Sequence, residues 1–188
     1  MQVALRRFML RVCALVAALA VPALAVPALA VPALVGPTLA AAAPPAPEGP
    51  VLLTVTGRLT SPNTADGAAL FDRAGLRALG TVELATSTPW TNGTPVFEGV
   101  LLRDVLQAVG AEGARLRATA ANDYKVTIPV ADAERYDVVI ALRQDGAPLT
   151  LRDRGPLWVV YPRDDHPELR DDLHNGKWIW QLERLDVR

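Results

Sequence analysis

Phe97-Glu98-Gly99-Val100-Leu101-Leu102-Arg103-Asp104-Val105-Leu106 is the stretch from which the rest of the chain can be read. Leu101, Leu102, Val105, Leu106 and, just beyond, Val109 fall on one helical stripe, with Arg103, Asp104 and Gln107 opposite. The spacing predicts a helix over residues 99–109, stopped by Gly110. Upstream, residues 81–87 alternate as a half-buried strand, and Thr88-Pro-Trp-Thr-Asn-Gly-Thr-Pro95 is a turn-rich loop with an Asn-Gly tip. Residues 66–80 hold a short helix with Asp72 as N-cap and Gly80 as stop, and Val51-Leu-Leu-Thr-Val-Thr is a first strand ending at Gly57.

Downstream, residues 115–120 and 125–128 are strand-like, joined by Asn122-Asp123-Tyr124. Residues 138–142 and 149–151 flank Gln144-Asp-Gly-Ala147, a hairpin signal because Asp-Gly suits positive φ. Pro156-Leu-Trp-Val-Val-Tyr-Pro162 is a continuous apolar strand, and residues 178–187 supply the last one. Many strands with a few short helices predict a β-rich α+β domain with mixed sheets over residues 51–188.

The first 42 residues have the composition of a signal peptide. Arg6, Arg7 and Arg11 precede an uncharged apolar run from Val12 to Val35, and small residues around Ala40–Ala42 offer a cleavage site. The run is long enough to span a bilayer, which makes an uncleaved anchor the rival reading. A Val-Pro-Ala-Leu unit recurring from Val21, Val26 and Val31 argues against it, because each proline removes a helix hydrogen bond. The expectation is export to a bacterial periplasm with no membrane span after cleavage. Residues 43–50, Ala-Pro-Pro-Ala-Pro-Glu-Gly-Pro, read as a stiff linker.

The single cysteine, Cys13, falls inside the leader. A mature chain would then have no disulfide, no cysteine nucleophile and no thiolate metal ligand. Of 19 basic residues three lie in the leader, which holds no acid, so 16 face 20 acidic ones beyond it. That mild acidity, without a basic block, argues against a nucleic-acid partner.

Five segments in order carry a resemblance. They are Phe97-Glu-Gly-Val-Leu-Leu-Arg-Asp-Val-Leu, Asn122-Asp-Tyr-Lys-Val-Thr-Ile-Pro, Gly146-Ala-Pro-Leu, Gly155-Pro-Leu-Trp-Val-Val-Tyr-Pro and Lys177-Trp-Ile-Trp-Gln-Leu. Together they resemble the oxidoreductase molybdopterin-binding domain family, whose fold is that of sulfite oxidase, and are similar to its short exported members. The resemblance implies a sulfite-oxidase-like fold and molybdopterin as the cofactor to consider. In the catalytic relatives a cysteine thiolate holds molybdenum just before the Phe-Glu-Gly-Val segment. Here that stretch is Leu84-Ala-Thr-Ser-Thr-Pro-Trp90, and the cysteine position falls on Thr86 or Ser87. A neutral hydroxyl is a weak ligand where a thiolate is a strong one.

Thr86, Ser87, Thr88 and Trp90 therefore stand where the family's pocket opens, as hydroxyl donors and an aromatic wall. Read without the resemblance, they end a strand and pack the core. Asn122, Asp123 and Tyr124 crowd three polar side chains into one turn, which suits a ligand contact or simply a turn. Arg152, Arg154 and Lys177 are anion-contact candidates or solvated charges. Asp164-Asp165-His166 and Asp171-Asp172-Leu173-His174 invite a metal reading, but a surface loop with a capped helical turn accounts for them more simply, so no metal site is assigned. Trp158, Trp178 and Trp180 are core or pocket wall.

The functional expectation is an exported binding or sensing module on an enzyme's scaffold, without the metal-ligand cysteine. Its partner would be a small anionic or heterocyclic ligand or a membrane sensor protein. The alternative is a molybdopterin-dependent oxidoreductase whose metal is held without cysteine.

Overall fold

Alternation of apolar and polar residues builds the first sheet of the computed structural model, which describes residues 43–188. Leu53–Gly57 (β1) buries Leu53 and Val55 and turns Thr54 and Thr56 outward. It pairs antiparallel with Ala69–Phe71 (β2) and then enters the helix Arg73–Ala78 (α1) by way of β2. Asp72 caps α1 as expected, its Oδ1 accepting the Gly75 N–H at 2.7 Å. The other carboxylate oxygen accepts Glu48 N–H and Gly49 N–H at 3.0 and 2.7 Å, so one side chain ties residues 43–50 to the helix start.

The second sheet begins at Val82–Ala85 (β3) and Val96–Leu101 (β4). Here the predicted helix over residues 99–109 is corrected: Gly99, Val100 and Leu101 belong to β4, and the helix is Leu102–Ala108 (α2). Val100, Leu101 and Leu102 are three successive buried residues, a run that suits a strand covered on both faces as well as a helix. Gly99 decides between them. A Cβ there would lie 2.1 Å from the Ile140 carbonyl oxygen, so only glycine lets β4 pass this close to its partner. Leu101 keeps an extended backbone, and Leu102 N–H bonds to Val138 O at 2.8 Å before the first helical turn closes.

Arg115–Ala120 (β5) and Lys125–Pro129 (β6), both read as strand-like, pair antiparallel as a hairpin. Val130–Arg135 (α3) follows with no side-chain cap, and no stripe or cap in the sequence announces it. Val139–Gln144 (β7) turns at Asp145-Gly146, both at positive φ, into Ala147–Pro148 (β8). The return strand is thus shorter and earlier than residues 149–151, where Leu151–Asp153 is a 3-10 turn. Trp158–Val160 (β9), a turn at Asp172–Asn175 (α4) capped by Asp171, and Leu182–Val187 (β10) complete the chain.

One sheet runs β2-β1-β10-β5-β6, with β1 and β10 parallel and its other pairs antiparallel; the second runs β3-β4-β7-β8, with β9 also on β7. The inner faces of both sheets and the buried stripe of α2 feed one hydrophobic cluster. Trp158, Tyr161, Phe71 and Phe97 are its largest fully buried side chains.

Candidate functional site

The chain leaves β3 at Thr86, where the strand's alternation gives out, and meets the segment just beyond β9. Thr86 is fully buried, and its Oγ1 accepts Asp164 N–H at 3.2 Å while lying 3.4 Å from the Ser87 carbonyl oxygen. Ser87 donates to the Asp164 carboxylate twice, through N–H and Oγ, each at 2.6 Å. The Arg163 guanidinium donates to Ser87 Oγ at 3.2 Å, and Arg170 lies 3.6 Å from Asp164. The Ser87 hydroxyl, then its N–H, and further out the two arginines hold Asp164 below the usual carboxylate range. Both hydroxyls are thus occupied inside the protein, and a carboxylate sits against Ser87.

The loop after this junction carries Trp90 toward the last strand. Thr88 Oγ1 accepts Trp90 N–H at 3.1 Å and pairs with Thr91 Oγ1 at 2.8 Å, a local turn that fixes the ring's approach. Arg154 donates to Trp90 O at 3.0 Å and lies 5.2 Å over the Trp158 ring, so this arginine braces the loop from beneath. Trp90 then meets Trp180 edge-on at 5.4 Å and Trp178 at 5.9 Å.

Beside these rings opens a cleft of about 310 Å3, walled by Trp90, Trp178, Trp180 and Tyr124 and edged by Asn122 and Asn175. No charged side chain lines it among the described residues. Behind the cleft wall, Trp178 Nε1–H and Asn175 Oδ1 are buried without a hydrogen-bond partner. Asn122 Oδ1 accepts Tyr124 N–H at 3.2 Å, which rigidifies the turn at the cleft edge. Asp123, at φ 63, supplies the bend but is not part of the lining.

Of the residues singled out in the sequence, the structure brings Trp90, Asn122 and Tyr124 together in this cleft. Thr86 and Ser87 form the neighbouring polar junction, and Thr88 supports the loop between. Arg152 is exposed on its 3-10 turn, apart from both. Lys177 is committed elsewhere: its Nζ lies 2.7 Å from Asp132 Oδ2, which also accepts the Tyr161 hydroxyl at 3.0 Å. Burial and the Asp132 charge raise the Tyr161 pKa, so its proton stays on that bond. Asn175 escaped sequence reasoning, although it stands two residues before Lys177-Trp178; Asp132, 45 positions from Lys177, gave no signal at all.

His174 pairs with Asp171 at 2.7 Å and His166 approaches Glu168 at 3.7 Å. Among the described residues no three His, Cys, Asp or Glu side chains group as a metal site would need.

A model of the oxidoreductase molybdopterin-binding domain matches residues 71–165, half of the chain. The chain belongs to that family. Among solved structures it is similar to the sulfane dehydrogenase SoxCD from Paracoccus pantotrophus, with a TM-score of 0.53 and 18% identity. The match covers 72% of this chain and 37% of that one, so this chain spans little more than a third of its length. At that identity the likeness is one of fold. No curated protein matches.

Membership makes molybdopterin the cofactor against which the junction must be tested. Residues 43–188 contain no cysteine. Thr86 and Ser87 present neutral hydroxyls already used by Asp164: Ser87 Oγ donates to its carboxylate at 2.6 Å and Thr86 Oγ1 accepts its N–H at 3.2 Å. The junction as built does not fit the metal, and no reaction step is derived through it.

Proposed function

We propose that this molybdopterin-binding-family domain is an exported ligand-binding module that takes a planar, uncharged heterocycle in its aromatic cleft and performs no molybdenum redox chemistry. The single observation carrying the reading is the cleft's composition: three tryptophans and a tyrosine, with two asparagines at the edge and no lining charge. Aromatic walls favour flat apolar faces, and the polar asparagine edge suits a ring that carries heteroatoms. An anion would enter without a cation to meet it, which favours the heterocyclic over the anionic ligand. The occupied hydroxyls of Thr86 and Ser87 support the absence of a metal ligand. Export rests on residues 1–42, with their arginines followed by an uncharged apolar run.

Tryptophan emission of the purified protein, titrated with biopterin and separately with inorganic sulfate, tests the binding half. Biopterin is expected to quench saturably, sulfate to leave the spectrum unchanged, and Trp90→Ala to lose the response. Sulfate binding, or no response to the pterin, would overturn the reading.

A further inference from the structure

The outward face of the first sheet is a cationic surface on an otherwise acidic domain. Alternation in β5 buries Leu116, Ala118 and Ala120 and turns Arg115, Arg117 and Thr119 outward. Register carries this across neighbouring strands: Thr54, Arg184, Thr119 and Lys125 form one row, and Thr56, Asp186, Arg117 and Thr127 the next. Arg115 and the terminal Arg188 continue it. Arg115, Arg117, Lys125 and Arg184 are exposed and have no ion-pair partner among the described residues. Asp186, the acid in the second row, is already bridged by Arg188 at 2.6 Å, and Glu183 stands at the bulge beside Arg184. Five cations and two acids therefore share a face of a chain whose residues 43–188 carry 16 bases and 20 acids.

We infer that this face docks on an anionic phospholipid surface. Three features select that partner. The charge is segregated, so the face attracts polyanions while the remainder repels them and orients the molecule. The face bears no aromatic ring, which removes both the anchor a protein interface concentrates its energy on and the platform single-stranded nucleic acid stacks on. Its cationic side chains and threonine hydroxyls are spread over two rows of a broad, open sheet, a spacing of donors suited to many phosphate headgroups rather than to one enclosed ligand. The aromatic cleft plays no part in this contact.

Flotation of the full chain with vesicles of phosphatidylcholine mixed with phosphatidylglycerol tests it, with the double variant Arg117→Glu/Arg184→Glu alongside. Both proteins carry the same residues 1–42, so a difference between them reports the sheet face. The variant is expected to bind these vesicles more than about tenfold more weakly, the difference fading as salt screens it. Arg117→Lys/Arg184→Lys is expected to bind as the parent does, and thermal unfolding checks that each variant is folded. Should the glutamate variant misfold, Arg117→Gln/Arg184→Gln replaces it with the same expected direction. Equal flotation of folded variant and parent would overturn the inference, as would tighter binding to a duplex DNA fragment than to the anionic vesicles at the same salt.

Discussion

Lys177 holds its ammonium 2.7 Å from Asp132, with side-chain exposures of only 12% and 11%, and it directly precedes Trp178 in the cleft wall. Removing one partner of so enclosed a pair strands the other charge, which costs far more than the pair itself contributes. Asp132→Ala is expected to lower stability by about 3 kcal/mol in urea unfolding, and adding Lys177→Met to recover most of that loss. If the double variant is as unstable as the single one, Asp132 acts through its bond from the Tyr161 hydroxyl or through packing instead of through Lys177. Trp90 is a second single residue with a separable role. Its replacement by alanine is expected to cost about 3 kcal/mol of stability through the cavity left against Trp158, Trp178 and Trp180. At this scale the candidate site was half legible. Trp90, Asn122 and Tyr124 were readable because each stands in a turn next to a strand. Asp132 was not, since nothing in a short uncapped helix points to a lysine 45 positions away.

Among the elements, α1 was the most readable because its cap is a local device: Asp72, a short apolar repeat and a glycine stop lie within one helix length. The same carboxylate gathers N–H donors from Gly75, Gly49 and Glu48, which hold it below the ordinary carboxylate range. Asp164 is held down likewise, chiefly by Ser87. Folding therefore favours the ionised form of both groups. Their contribution is present above the unfolded carboxylate pKa and is lost as pH falls through the lowered folded values. Denaturation midpoints are expected to drop between about pH 5 and about pH 2, and Asp72→Asn to flatten that fall. An unchanged slope would remove Asp72 from the account. β4 was misread for a physical reason: a buried strand running straight into a helix leaves one apolar run, with no change of period to mark the junction. Gly99→Ala tests the corrected boundary. A methyl group 2.1 Å from Ile140 O should cost about 3 kcal/mol or more in thermal unfolding, whereas a helical residue 99 would gain from alanine.

For the whole domain, the fold class followed from local alternation, but β2, β4 and the order of strands did not. The central parallel pair joins β1 to β10, the first strand to the last, and no neighbouring turn encodes such a contact. That pairing turns Thr54, Thr56, Arg184 and Asp186 to one side together, which is how a cationic face arises from residues scattered through the sequence. The same folding sets Asp164 against Ser87 across 77 positions, at the position that the family resemblance assigns to the metal-ligand cysteine. Molybdenum content is the direct test of that consequence. Protein purified from cells that make molybdopterin is expected to contain far less than one molybdenum per chain and to leave sulfite unoxidised. Stoichiometric molybdenum accompanied by sulfite oxidation or sulfoxide reduction would contradict the account.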